Sequence, residues 1–536
     1  MIPPCFRHLV CIKIPLASFK QPLSYWKRNP QFLQCSQSAF KNTIYALSSG
    51  HGKCGVAVIR VSGPETFNVL RSMTCHSNLK PPKPRHASLR NIVDPESQVV
   101  LDEGVCLWFP KPNSFTGEDC CEFQVHGSLA VVNALLRVLS KQPGLRPAQP
   151  GEFSKRAFLN NKLDLTQIEA LGDLIHAETE LQRQKALGQM KGNLKQLYSE
   201  WRRSIIECLA SIEAYIDFSE DEIIEDNILN TIRSQVETLS SEIDKHIELS
   251  NKCGVRIRSG IKSVIIGEPN VGKSSLMNFL CQKETSIVTP LPGTTRDVIE
   301  KHLDIGGYPV LLLDTAGLRS STSDVIESEG IDRARSQLVE SDLTLILMAF
   351  SPEMLTTGFE RSLQSYLRDT LSLNEEIDNV LDKISTPDNP PSSSQQLLSD
   401  KRYLIVINKI DLATSEQRDQ LETIVKAYAN VETVSCIHGT NLDQLLENIQ
   451  RQLTMLCGSL NTPTLSFTQS RHAFHLGETS RYLRRYVSLQ STGREFDLTV
   501  AAQQLRLGVR ELGAITGEVR VEEVLDVLFS QFCIGK

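Results

Sequence analysis

The sequence predicts a multidomain protein of mixed α+β and α/β class. It has an N-terminal α+β unit, a helical domain split in sequence, and a doubly wound parallel-sheet block inserted into that helical domain. Three observations carry this. No proline occurs between Pro150 and Pro269 or after Pro463, and apolar residues in both stretches recur at helical spacing. Between these stretches run Lys262-Ser-Val-Ile-Ile-Gly267, Val310-Leu-Leu-Leu-Asp314 and Leu404-Ile-Val-Ile-Asn408, near-continuous apolar segments of the kind that strands buried on both faces require. Ahead of them, from Thr43 to about Pro150, short runs such as Val56-Ala-Val-Ile-Arg-Val61 and Gly104-Val-Cys-Leu-Trp-Phe109 are bounded by Gly, Pro and Asn turns. A chain of 536 residues exceeds one ordinary core and fits roughly three or four domains.

Residues 1–40 contain no Asp or Glu but carry Arg7, Lys13, Lys20, Lys27 and Arg28. A basic, acid-free leader with Ser and apolar residues reads as a mitochondrial transit peptide leading to the matrix, drawn by a negative-inside potential. The N-terminal domain spans 41–155, with Val131-Val-Asn-Ala-Leu-Leu-Arg-Val-Leu139 as a helix in it. The first helical part spans 156–258, where Leu165, Ile168, Leu171 and Ile175 form a stripe expected in the core. The α/β block spans 259–456 and contains an insertion at 352–400. The Pro-, Ser-, Gln- and Asp-rich end of that insertion, 385–399, marks it as a mobile surface excursion without chemistry. The second helical part spans 457–536 and ends in the stripe Val521, Val524, Leu525, Leu528, Phe532.

Bulk properties exclude several classes. The formal net charge of -6 argues against gripping nucleic acid by overall positive charge. No apolar run reaches the roughly 18 to 20 residues that span a bilayer, so no integral membrane segment is expected. Fourteen cysteines without a CxxC spacing read as thiols in a reducing compartment rather than a disulfide framework or zinc site.

The chemistry sits in the α/β block. Gly267-Glu-Pro-Asn270-Val271-Gly272-Lys273-Ser274-Ser275 follows a strand and opens a helix. Its small residues let backbone N–H groups wrap phosphates, Lys273 reaches the β and γ oxygens, and Ser274 ligates Mg²⁺. Asp314-Thr315-Ala316-Gly317 ends the next apolar strand. There Asp314 holds the metal through water and the Gly317 amide senses a γ-phosphate. Asn408-Lys409-Ile-Asp411 supplies base selection, because the Asp411 carboxylate accepts from guanine N1–H and the N2 amine, a pair adenine lacks. Ser435-Cys436-Ile437 stands where a loop meets guanine O6. Four such motifs in order, each after a β-run, predict a GTP-hydrolysing site. Leu318 stands where Ras-type enzymes carry a water-orienting Gln, so another group must supply that step. In the loop Thr289-Pro-Leu-Pro-Gly-Thr294-Thr295-Arg-Asp, Thr295 is the second Mg²⁺ ligand.

With these motifs, the chain resembles the MnmE/TrmE family of tRNA-modification GTPases in its mitochondrial form. The resemblance rests further on Asn113-Ser-Phe-Thr-Gly-Glu-Asp119, Pro150-Gly-Glu-Phe-Ser-Lys-Arg-Ala-Phe-Leu-Asn160, Lys162-Leu-Asp-Leu-Thr-Gln and the terminal Phe532-Cys533-Ile-Gly-Lys536. It implies a tetrahydrofolate-binding N-terminal domain that also forms the homodimer, and an inserted Ras-like G domain. It also implies a flavin-dependent partner of the MnmG/GidA type and modification of carbon 5 of the wobble uridine of mitochondrial tRNAs, carboxymethylaminomethyl or taurinomethyl in type. Arg60, Glu122, Lys162 and Lys536 would contact 5-formyl-tetrahydrofolate, whose glutamate tail wants cations and whose pterin wants a carboxylate. Asn270, Thr289, Leu291 and Thr294 match positions that ligate K⁺ when two G domains meet, the ion replacing an arginine finger. Glu327 aligns with an acidic residue that activates water. Cys533 is either a nucleophile or a residue shaping the pocket that Lys536 closes. Two departures stand out: Ser48-Ser-Gly-His-Gly52 replaces the family's Pro-Pro-Gly-Arg-Gly, and Cys436 replaces an Ala.

Two rivals are a GTPase switch in mitochondrial ribosome assembly and a folate- and GTP-binding regulatory module. The first predicts a basic RNA-binding domain after the G domain, and the second predicts degeneration of Lys273, Ser274, Asp314 or Asp411. The sequence has neither feature.

Overall fold

The computed structural model describes residues 42–74, 80–218, 227–283, 286–287, 300–313, 338, 341–371, 380–381, 402–428, 430–459, 466–491, 497–519, 529 and 535. The chain divides into two compact units, 1–162 with 526–536, and 163–525.

The first unit is built on six strands: β1 (Thr43–Leu47), β2 (Cys54–Ser62), β3 (Ser88–Val93), β4 (Val100–Phe109), β5 (Cys120–Gly127) and β6 (Leu145–Pro147). Their order is β3-β4-β5-β2-β1-β6. β1 and β6 pair parallel; the other pairs among these six strands are antiparallel. Ile59, Val61, Cys121, Phe123 and Val125 point to one face and pack with Leu135 and Leu139. These two belong to the helix Leu129–Lys141, whose first turn is capped by Ser128 accepting from the Val131 N–H. The helix expected over 131–139 is therefore present. The end of the chain returns to this unit. Phe529 is buried, and Ser48 Oγ donates to the Gly535 carbonyl at 2.9 Å.

In the second unit, residues from both proline-free stretches fill one core. Tyr198, Trp201, Ile205, Val236 and Ile243 from the first pack with Leu476, Leu483, Tyr486, Leu505 and Leu512 from the second. They lie on the helices Asn193–Phe218, Asn227–Ser259, Ser470–Ser491 and Leu498–Thr516. A buried ionic clamp ties the stretches together: Glu169 accepts from Arg471 Nε at 2.8 Å and Nη2 at 3.0 Å, and lies 2.7 Å from His472 Nε2. Burial alone would raise the Glu169 carboxyl, but His472 and Arg471 overcome it and hold the group at about 2. The stripe expected to be core is core only in its first half. Leu165 and Ile168 are buried, whereas Ile175, in the last turn of the helix Leu165–Ile175, is 41% exposed. The stripe at 521–532 lies outside the described residues.

The seven-stranded sheet of this unit has the order β13-β12-β11-β7-β10-β9-β8. Its strands are β7 (Ile261–Ile266), β8 (Ser286–Ile287), β9 (Glu300–Ile305), β10 (Tyr308–Leu313), β11 (Leu343–Ala349), β12 (Arg402–Asn408) and β13 (Val431–Thr433). β10, β7, β11, β12 and β13 run parallel, and β9 is antiparallel to β10. Alternate residues feed two layers. Ile261 and Ile265 pack with Leu276, Leu445 and Leu453 on one face; Val264 and Ile266 pack with Phe359, Leu363 and Leu421 on the other. Both faces are covered, which is why the strands read as unbroken apolar runs.

The reading of 352–400 as a surface excursion is corrected over its first part. Two helices, Glu353–Thr357 and Phe359–Ser365, and a π-helical turn, Tyr366–Thr370, cover one face of the sheet. Met354, Phe359, Leu363 and Leu367 are buried there. Residues 359, 363 and 367 recur every four positions, a helical stripe overshadowed by the polar composition farther on. Residues 385–399 lie outside the described residues.

His246 sits in the helical core, its ring 5.3 Å from Trp201 and 5.6 Å from Phe467. Burial, and secondarily nearby His472, lowers its pKa to about 4. The unfolded chain then binds more protons below about pH 6.5, so this contribution is intact above that pH and is lost as pH falls towards 4. We predict that His246→Phe reduces by roughly 2 to 3 kcal/mol the stability lost between pH 7 and pH 4.5, measured by chemical unfolding at both pH values. An unchanged pH dependence would contradict it.

Candidate functional site

The strand β7 delivers the chain into the phosphate-binding loop at its C-terminal edge, where α/β sheets bind ligands. A Cβ on Gly267 would stand 2.2 Å from the Leu347 carbonyl oxygen, so only glycine passes β11 here. Asn270 has φ 64, a left-handed conformation that Asn tolerates better than most residues. Gly272 has φ 107, and a Cβ there would meet Asn408 Nδ2 at 2.2 Å. The loop runs into the helix Lys273–Lys283, whose N-terminal amides and dipole favour an anion. Lys273 Nζ donates to the carbonyls of Gly267 at 2.7 Å and Glu268 at 2.6 Å. Burial lowers its pKa, with Glu268 opposing. Ser274 and Ser275 are exposed on the first turn, and Val271 is buried beneath it.

The second wall comes from the ends of β12 and β13. The Asn408 side chain is buried and joins two loops. Its Nδ2 donates to the Val271 carbonyl at 2.7 Å, and its Oδ1 accepts from the Cys436 N–H at 3.1 Å. Lys409 takes φ 65 as the chain turns away. Asp411 accepts a 2.6 Å hydrogen bond from Ser435 Oγ. That bond is the main cause holding its carboxyl below the usual range, against a small opposing effect of burial. Arg418 donates to the Ile410 and Asp411 carbonyls at 3.0 and 3.1 Å. Burial and Asp411 push the Cys436 thiol up to about 11, so it stays protonated. Ile437 is 76% exposed. The structure thus brings together Asn270, Val271, Gly272, Lys273, Ser274 and Ser275 with Asn408, Lys409, Asp411, Ser435, Cys436 and Ile437. Thr289, Leu291, Thr294, Thr295, Asp314, Thr315, Ala316, Gly317 and Glu327 lie outside the described residues.

In the first unit, Arg60 and Glu122 face each other across β2 and β5 and form an ion pair of 2.9 Å. The Arg60 guanidinium lies 5.0 Å from the Phe115 ring centre and 5.8 Å from that of Phe153. Lys162 is exposed, with its stem beside Gly117. Cys533 and Lys536 lie outside the described residues. Neighbouring Gly535 packs so closely on β1 that a Cβ would stand 2.2 Å from the Leu47 carbonyl.

Several residues here carry no assignment from sequence. Arg156 is fully buried and pairs with Glu118 at 2.9 Å and Glu152 at 3.1 Å. The i,i+4 spacing of Glu152 and Arg156 was a readable signal; the link to Glu118 was not. Tyr366 contacts the phosphate loop from the 352–400 segment, which no local motif announces.

Comparison with known proteins follows the same lines. Residues 43–162 match the GTP-binding protein TrmE N-terminus, and residues 165–533 match the MnmE helical domain. The chain is 45% identical over 509 residues to the mitochondrial 5-taurinomethyluridine-tRNA synthase subunit GTPB3 of Danio rerio, covering 94% of this chain and 95% of that protein. It is 43% identical to its Homo sapiens counterpart, covering 92% and 93%. It is 39% identical to the tRNA modification GTPase MnmE of Rickettsia bellii, covering 92% and 100%. A glycine-rich loop between a parallel strand and a helix, faced by an Asn-Lys-x-Asp strand end, defines a P-loop GTPase. The chain belongs to the MnmE/TrmE family.

Removing the Asn408 side chain leaves the Val271 carbonyl and Cys436 N–H without that partner. Asn408→Ala is expected to cost about 2 to 3 kcal/mol and to weaken nucleotide binding, read as a lower thermal midpoint and a larger Kd for fluorescent GDP. Unchanged values would show that the two loops hold their positions independently.

Proposed function

We propose that this protein is a potassium-dependent GTPase of the mitochondrial matrix that acts, with an MnmG/GidA-type flavoprotein, on carbon 5 of the wobble uridine of mitochondrial tRNAs. The observation that carries this is likeness over more than nine-tenths of the chain to proteins named for tRNA modification and for 5-taurinomethyluridine-tRNA synthesis. The leader, 1–40, is read as the transit peptide. Among the described residues, no helix is long and apolar enough to cross a membrane.

The residues fit GTP. The close approach of Gly267 and Gly272 to their neighbours shapes the loop, Lys273 would meet the β and γ phosphates, and Ser274, Thr295 and Asp314 would hold Mg²⁺, which would neutralise phosphate charge. The Asp411 carboxylate, kept ionised and aimed by Ser435, accepts from guanine N1–H and N2. The backbone amides of the Ser435–Ile437 loop meet O6. Leu318 cannot orient water; Asn270, Thr289, Leu291 and Thr294 would hold a K⁺, which would supply positive charge beside the phosphates. Glu327 activates the water. In the N-terminal domain, the Arg60 guanidinium near the Phe115 and Phe153 rings and the Glu122 carboxylate fit a flat heterocycle with an anionic tail. Lys162 and Lys536 complete the set for 5-formyl-tetrahydrofolate, which supplies the one-carbon unit. The same domain forms the homodimer, and Cys533 acts at the folate pocket.

Two measurements test this. Leaderless protein should turn over GTP on the order of tenfold or more faster in K⁺ than in Na⁺, with no ATP turnover; equal rates would remove the potassium role. Asp411→Asn exchanges a two-acceptor carboxylate for an amide with one acceptor and one donor. It should lower GTP turnover roughly 100-fold while creating xanthosine triphosphate turnover, because xanthine presents an acceptor where guanine presents its amine. Retained GTP preference would contradict the base-binding role.

A further inference from the structure

Tyr366 is the one side chain of the π-helical turn Tyr366–Thr370 that the structure links by hydrogen bond to the phosphate loop among the described residues. Its hydroxyl accepts from the Glu268 N–H at 2.9 Å and donates to the Leu347 carbonyl at 2.9 Å. Burial pushes the phenol up to about 12, so it keeps the proton it donates. Leu347 lies on β11, directly beyond the ladder in which Ile346 pairs with Ile266 of β7. The hydroxyl therefore bridges the two strands at the point where β7 leaves the sheet.

The Glu268 N–H and the Gly267 carbonyl belong to one peptide unit. A trans peptide directs these two groups in opposite directions. The N–H is held by Tyr366, and the carbonyl accepts from Lys273 Nζ at 2.7 Å. We propose that Tyr366 is a positioning residue for nucleotide binding. By fixing the plane of the Gly267–Glu268 peptide, it aims the Gly267 carbonyl at Lys273 and holds the ammonium in the loop. The π-helical geometry, which often marks functional positions within helices, accompanies this placement. The inference rests on the reading of Lys273 as the phosphate-binding lysine, and the test separates the two.

The test is a double-mutant cycle on the full-length protein with fluorescent GDP and GTP. Tyr366→Phe leaves one donor and one acceptor unmet and should weaken both nucleotides roughly tenfold. In the Lys273→Ala background the same change should have an effect of less than about twofold. Hydrogen exchange at the Glu268 amide should accelerate in Tyr366→Phe, while amides of Val264 and Ile265 within β7 keep their protection. Wild-type affinity in Tyr366→Phe would overturn the proposal. So would an undiminished loss in the Lys273→Ala background, which would make Tyr366 a general support of the sheet. If Lys273→Ala alone binds as tightly as the unaltered protein, the reading of Lys273 fails and this inference fails with it. Loss of β7 protection in Tyr366→Phe would likewise overturn a local role.

Discussion

The nucleotide site depends on the Asn408 carboxamide. It lies 2.7 Å from the Val271 carbonyl and 3.1 Å from the Cys436 amide, so one buried side chain sets the spacing between the loop after β7 and the loop after β13. Such a group is costly to bury unless both its ends are satisfied, and here each has a partner. The requirement for glycine at 272 follows, because a Cβ would collide with that amide. The position of Asp411 follows as well, since Ser435, neighbour of Cys436, holds its carboxylate. In the proposed reading, guanine selection and phosphate binding are two ends of one hydrogen-bonded frame.

The frame rests on a helical scaffold closed by residues far apart in sequence. The Glu169–Arg471 clamp joins positions 302 residues apart, and Arg256 meets Asp342 at 2.7 Å where the helix Asn227–Ser259 approaches the sheet. Removing one partner from a buried ion pair leaves an unpaired charge, so such clamps enforce one arrangement even where their net contribution to stability is small. In a chain whose sheet block is flanked on both sides by helical sequence, contacts of this kind tie the distant segments together.

Much of this was readable in advance, for physical reasons. The strands β7, β10 and β12 are continuous apolar runs because both faces of the sheet are covered, and each ends in or leads into one of the sequence motifs. The glycine-rich loop declares itself because its backbone must approach other backbone closely. The Arg60–Glu122 pair was legible only as two separate charges. Their cross-strand register, and the two phenylalanine rings beside Arg60, arise from pairing between segments about sixty residues apart. Arg156 is fully buried and paired with two carboxylates, and its link to Glu118, 38 residues away, leaves no local trace. Tyr366 was hidden most completely. Its segment is judged from composition as polar and loose, while its contact with Glu268 spans 98 residues and leaves no periodic trace.

The central claim is that the guanine-nucleotide site drives tRNA modification. Its most direct test is mass spectrometry of wobble-uridine nucleosides in mitochondrial tRNA from cells lacking this chain, re-supplied with unaltered protein or with Asp411→Ala. The account predicts that carbon-5 modification returns with the unaltered protein and stays absent with the variant expressed at equal level. Restoration by both would contradict it, because the nucleotide site would then be dispensable for the reaction.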